Sequence, residues 1–226
     1  MNTLESILKQ NSRKFSPIIP QQKVPLKLYR IDFSENNPDL KNINYNNVEQ
    51  FAQYIQEKLN EVHKHIAYGG YLEDREMYKR AKIFKSGTEN RSVHLGIDFW
   101  APAGTPVTAP LDAVIHSFAI NPAHGDYGGT IVLQHNLEGH IFYTLYGHLS
   151  HQSVAEKSQG QKIMAGQNLG WIGEPNENGY WPPHVHLQLI TDMLSYEGDF
   201  PGVCTPGNVD YYKQICPDPK YLLGFE

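Results

Sequence analysis

Apolar positions recur along this chain with two different spacings, and the change from one to the other divides the sequence. Leu4, Ile7 and Leu8 fall on one face of a helix over residues 3–10. Val48, Phe51, Ile55, Leu59 and Val62 form a longer helical stripe, with Asn46 and Glu49 at capping-box spacing before it. Between these helices, Val24, Leu26 and Leu28 alternate with Pro25, Lys27 and Tyr29. That alternation predicts a strand, and Pro25 places it at a sheet edge. Residues 11–23 and the Asn-rich stretch 34–47 read as loop and linker. From about residue 66 the period shortens to two. Strands are predicted over 93–99, 106–110, 113–120, 130–136, 140–149, 168–172 and 183–190, separated by turn signals such as Ala103-Gly104 and Tyr127-Gly128-Gly129. Many short strands with glycine turns predict a mainly β chain, an antiparallel sandwich or half-barrel. The expected organisation is an N-terminal α+β cap over 1–65, a core over 66–192 and an irregular Pro-rich tail over 193–226.

Composition narrows the function classes. A chain of 226 residues with 40% hydrophobic residues is long enough to bury a core. The formal charge of -5 and the lack of a basic cluster argue against nucleic acid as the main partner. No apolar run approaches ~20 residues, so no membrane span is expected. Residues 1–15 lack a charged-then-apolar leader pattern, and a cytoplasmic or otherwise unprocessed protein is expected. Two cysteines, Cys204 and Cys216, exclude a disulfide scaffold and a cysteine-rich zinc site, and are expected as free thiols. Eleven histidines direct the search toward histidine chemistry.

Three segments carry that chemistry. In Val93-His94-Leu95-Gly96-Ile97-Asp98-Phe99, strand alternation puts His94 and Asp98 on one face with Gly96 as a gap between them. Alone, His-x-x-x-Asp is a weak motif, and two polar residues on the wet face of a strand explain it as well. In Pro183-His184-Val185-His186-Leu187-Gln188-Leu189, the face of His184, His186 and Gln188 opposes an apolar face. His148 closes a third strand in Tyr146-Gly147-His148-Leu149-Ser150; a single histidine there is more often structural than catalytic. Taken together, a His/Asp/His donor set suits zinc, and three protein ligands leave the fourth position for water. No helical His-Glu-x-x-His pattern is present.

In order and spacing these segments resemble the M23 family of zinc metallopeptidases, the lysostaphin-type or LytM-type endopeptidases. The stretch Ala101-Pro102-Ala103-Gly104-Thr105-Pro106 and the run Asp126-Tyr127-Gly128-Gly129 add to the likeness, which covers residues 66–190. The stretch from Trp181-Pro182-Pro183-His184 through Gly198-Asp199-Phe200-Pro201-Gly202-Val203 most resembles M23-type domains fused to bacterial aminotransferases. The resemblance implies a LytM-type fold and one zinc held by His94, Asp98 and His186, with His148 and His184 as catalytic histidines. It implies hydrolysis of a peptide bond, the substrate being a peptide or a peptidoglycan-derived peptide. The alternatives are a non-catalytic regulatory module of the same fold and a zinc amidohydrolase of a small metabolite. Retention of all five positions weighs against the regulatory module. Tyr146, Tyr180 and Trp181 are candidates to line a substrate groove or to pack at sheet ends. His116, His135 and His140 are read as structural, and the loop residues His124 and His151 as candidate neighbours of the groove.

Overall fold

The computed structural model describes residues 3–20, 27–80 and 82–223. Helix α1 (Thr3–Asn11) buries Leu4, Ile7 and Leu8 as its stripe requires. Strand β1 (Leu28–Arg30) begins where the predicted strand was to end; Val24 to Leu26 lie outside the described residues. Helix α2 (Val48–Glu61) buries Phe51, Tyr54, Ile55 and Leu59. Its cap is Asn47, one residue later than predicted, whose side chain accepts from the Gln50 backbone N–H. Asn46 instead has its N–H turned back to Asn44 Oδ1. Strand β2 (Ile66–Gly69), helix α3 (Glu76–Arg80) and the small hairpin β3 (Lys85–Ser86) and β4 (Glu89–Asn90) follow.

The predicted strand over 93–99 is two strands, β5 (Val93–His94) and β6 (Ile97–Trp100). Then come β7 (Pro106–Thr108), β8 (Ala113–Asn121), β9 (Gly128–Leu137) and β10 (His140–Leu149). Helix α4 (His151–Ala155) leads to β11 (Lys162–Ile163), β12 (Asn168–Trp171) and β13 (His184–Ile190). The segment expected to be irregular holds β14 (Val203–Cys204) and helix α5 (Val209–Ile215). Its prolines fall between these elements, where a missing N–H breaks no ladder bond. No helix among the described residues is long and apolar enough to cross a membrane.

The chain is mainly β, built on one eight-stranded sheet in the order β1-β2-β6-β13-β10-β9-β8-β11. Every pairing in it is antiparallel except β1 with β2. Strands β12 and β7, β14 and β5, and β3 and β4 form separate two-stranded sheets. Alternation gives the large sheet two buried faces. One carries Ile97, Phe99, Val185, Leu187, Ile131, Leu133 and Tyr146 into a core shared with Val107 and Leu169. On the opposite face, Trp100 joins a second core with Phe33 and Phe51, so residues from the N-terminal segment cover that side.

Candidate metal centre

The opposite face also carries the chemistry. Register places His186 across from Asp98, His184 across from Trp100, and Gly147 beside His186. His94 arrives from β5, which leaves the large sheet to pair with β14. The interruption of strand between β5 and β6 is what brings His94 and Asp98 together. Four residues of unbroken strand would separate their Cα atoms by ~13 Å. Here His94 Nε2 stands 3.3 Å from Asp98 Oδ1. Gly96 is not a gap for a metal: an added Cβ would lie 2.6 Å from His186 Cε1, so its missing side chain makes room for the His186 ring.

His148 reaches the same face by a different device. In a regular strand it would share the core face with Tyr146. The β9–β10 register shifts between Tyr146 and Leu149, and His148 sits at φ 63°. This bulge turns the imidazole to the other side of the sheet. A left-handed conformation at a histidine is costly and is held here by the His148 N–H donating to Tyr127 O at 2.8 Å. Tyr146, on the core face, is fully buried and is a packing residue, not a groove residue.

The donor atoms form a tight triangle. His94 Nε2 and His186 Nδ1 are 2.9 Å apart, and His186 Nδ1 is 2.9 Å from Asp98 Oδ1. All three side chains are buried. Neighbours assign the tautomers. His94 Nδ1–H donates to Gly70 O at 3.1 Å. Gln188 Nε2 donates to Pro201 O at 3.1 Å, which turns Gln188 Oε1 toward His186 Nε2, also at 3.1 Å. Both ring protons therefore point away from the triangle, and lone pairs of two imidazoles and a carboxylate oxygen face one another. Three such acceptors without a shared proton repel unless a cation lies between them. Ligand atoms of a tetrahedral zinc at ~2.0–2.1 Å stand ~3.4 Å apart, close to the spacing here. The residues fit a zinc ion.

Charge states agree with this. Burial, and then the charge of Arg75, drives His94 down to about 3. Burial opposes the charge on Asp98, yet the Arg75 guanidinium beside it holds its carboxyl well below the usual range. Asp98 Oδ2 accepts from Arg75 Nη1 at 2.6 Å. Beside the triangle, the His148 and His184 rings lie 4.1 Å apart between centroids. Their Nδ1–H groups donate to Asn178 O at 2.8 Å and Pro182 O at 2.7 Å, leaving each Nε2 as a free acceptor. Burial, and then the neighbouring His184, lowers His148 well below its ordinary range; burial lowers His184 to about 4. All five side chains open on a cavity of about 300 Å³, walled by Tyr78, Phe84 and Trp181.

Not every expected neighbour is there. Trp181 lines the cavity, but Tyr180 stacks on His124 outside it, and His151 does not line it. Cys204 and Cys216 are buried free thiols. Sequence reasoning missed Arg75 and Glu73, which carry no local signal, and singled out the run that holds Tyr127 without giving that side chain a place in the site. Gln188 had one, its place on the face of His184 and His186.

Residues 92–196 match the family model for Peptidase family M23. Over 96 residues the chain is 34% identical to the DD-carboxypeptidase/endopeptidase Mpg of Neisseria meningitidis serogroup B, covering 42% of this chain and 20% of that protein. Over 107 residues it is 33% identical to the glycyl-glycine endopeptidase ALE-1 of Staphylococcus capitis, covering 47% of this chain and 27% of that one. The chain thus spans about a fifth to a quarter of the length of these relatives. Among solved structures, it is similar to the catalytic domain of lysostaphin from Staphylococcus simulans, with 23% identity, a TM-score of 0.41 and coverage of 72% of this chain and 97% of that one.

Proposed function

Taking as premise that residues 92–196 are an M23 peptidase domain, we propose that this protein is a zinc-dependent hydrolase of peptide bonds that acts as an endopeptidase. The observation that carries the reading is the triangle of His94 Nε2, Asp98 Oδ1 and His186 Nδ1, each atom presenting a lone pair to the others. These three side chains would hold the zinc. Zinc bound there supplies a Lewis acid for the scissile carbonyl and lowers the pKa of water toward ~7.

The remaining steps belong to His148 and His184. Each is a neutral imidazole anchored through Nδ1–H to a backbone carbonyl, which fixes the ring and leaves Nε2 to receive a proton. One Nε2 takes the proton of the attacking water. That same proton, held on this ring or handed to the neighbouring Nε2, is donated to the developing oxyanion and then to the leaving amine as its bond to the carbonyl carbon breaks. Their burial excludes bulk water and strengthens each interaction. The walls of Tyr78, Phe84 and Trp181 suit a peptide chain, and peptidoglycan-derived peptides are the first class to examine, because relatives named as endopeptidases share this domain.

The test has two stages. Elemental analysis of the purified protein should give equimolar zinc. The zinc-loaded protein should then cleave internal bonds in purified peptidoglycan or in a panel of linear peptides, followed by mass spectrometry of the products. Equimolar zinc with no cleavage in either set would favour a regulatory module over an enzyme.

A further inference from the structure

Among the described residues, Arg75 is the largest fully buried side chain. It comes from the segment before residue 92, outside the span matched to the M23 model. Its hydrogen bonds are concentrated on one side. Nε donates to Glu73 Oε2 at 2.8 Å, and Nη1 donates to Asp98 Oδ2 at 2.6 Å and to the Tyr78 hydroxyl at 3.0 Å. Nη2 meets no acceptor among the described residues. Glu73 is itself held from the N-terminal segment, where the Phe33 N–H donates to Glu73 Oε1 at 3.3 Å. The Phe33, Tyr78 and Trp100 rings each lie 5.7 Å from the guanidinium carbon and wall it in. The guanidinium therefore has one orientation, fixed by Glu73 and aimed at one oxygen of Asp98.

A carboxylate can give a metal one oxygen or two. With Oδ2 committed to Arg75, Asp98 has only Oδ1 to offer, and Oδ1 is the atom at the triangle of donors. Two imidazoles and one carboxylate oxygen leave a fourth position open for water. Without Arg75, Oδ2 would be buried with no donor, an expensive state that turning toward the metal relieves. The second oxygen would then take up the space that water needs. We propose that Arg75 is a positioning residue that restricts Asp98 to one-oxygen ligation and so keeps the water position of the metal site open. This rests on the zinc reading given above.

The experiment compares wild type with Arg75→Met, each loaded with cobalt(II) in place of zinc, by visible absorption, and with zinc, by elemental analysis. The expected result is that Arg75→Met stays folded and retains equimolar zinc, while its cobalt band weakens as the coordination number rises. Peptide cleavage falls ~10–100-fold, the usual effect of losing an outer partner of a metal ligand. A cobalt spectrum identical to wild type overturns the proposal. So does a folded Arg75→Met protein that binds no metal, because Arg75 would then serve binding rather than ligation mode. If Arg75→Met does not fold, Glu73→Gln, which releases the guanidinium from its anchor, is read by the same two criteria. A wild type that binds neither metal would refute the zinc site itself, a separate outcome.

Discussion

Two sets of buried histidine, one inside the large sheet and one at its junction with β5, are built on opposite rules. On β9, His135 is 1% exposed. Its Nδ1–H donates to Asp112 O at 3.1 Å, and its Nε2 meets the Thr144 hydroxyl at 2.7 Å. Each ring nitrogen has a complementary partner, and the side chain stacks on Phe142. At the junction of β5, β6 and β13, His94 and His186 are as deeply buried, but only one nitrogen of each is satisfied by the protein. The other two face each other and a carboxylate oxygen. Burial alone does not separate a structural histidine from a metal ligand; the direction of the ring protons does.

Asp98→Ala should break the second group completely, because it removes both a donor atom and the charge that offsets the cation. Metal content, read by elemental analysis, should fall by orders of magnitude, as it should for His186→Ala. His135→Gln should keep the wild-type content. Full metal in Asp98→Ala would move the site elsewhere.

His148→Ala and His184→Ala should divide metal binding from turnover. Neither contributes an atom to the triangle, so zinc should remain near equimolar. Loss of a proton-transfer group or an oxyanion donor costs ~10²–10⁴-fold, so kcat should drop at least ~10²-fold. Loss of zinc from His184→Ala with retention in His186→Ala would reverse the two roles.

A smaller effect is expected from Gly96→Ala, whose new Cβ would press on the His186 ring and on Leu187 O, both at 2.6 Å. Overpacking of this kind costs ~1–3 kcal/mol. Urea unfolding should report that loss, and chelator competition should show weaker zinc binding. Unchanged zinc affinity would mean that the ring does not depend on this gap.

A last effect concerns pH and the stability of the metal-free protein. Burial lowers His135 to about 4, against ~6.5 in an unfolded chain. Below ~6.5 the unfolded state binds the proton first, so stability falls. The contribution of neutral His135 is therefore full above ~6.5 and is lost as pH drops through about 4. His135→Gln should flatten, but not abolish, the fall in urea midpoint between pH 7 and pH 4. Buried His94, His148 and His184, whose values are lowered in the same direction, contribute to the remainder.

Much of this was legible in the chain itself. Period-two alternation is a local property, so the strands, and the shared face of His184, His186 and Gln188, could be read without knowing the fold. The helical stripe of α2 was equally plain, because packing of its apolar face follows from spacing. All five residues of the centre lay in three short motifs whose order pointed to one family. What alternation could not reveal was where it would be interrupted. The interruption at residues 95–96 draws His94 and Asp98 together, the bulge at His148 reverses the face that a regular strand assigns, and both are held by bonds from distant segments: Gly202 O to Leu95 N–H, Glu73 O to His94 N–H and Tyr127 O to His148 N–H. Arg75 and Glu73 had no signature in the chain. Sequence alone determined which side chains could do the chemistry, because side-chain chemistry and period are written locally. Tertiary structure decided which lone pairs converge and which are covered, because that depends on groups brought together across the fold, such as Arg75 on Asp98 and Gln188 on His186.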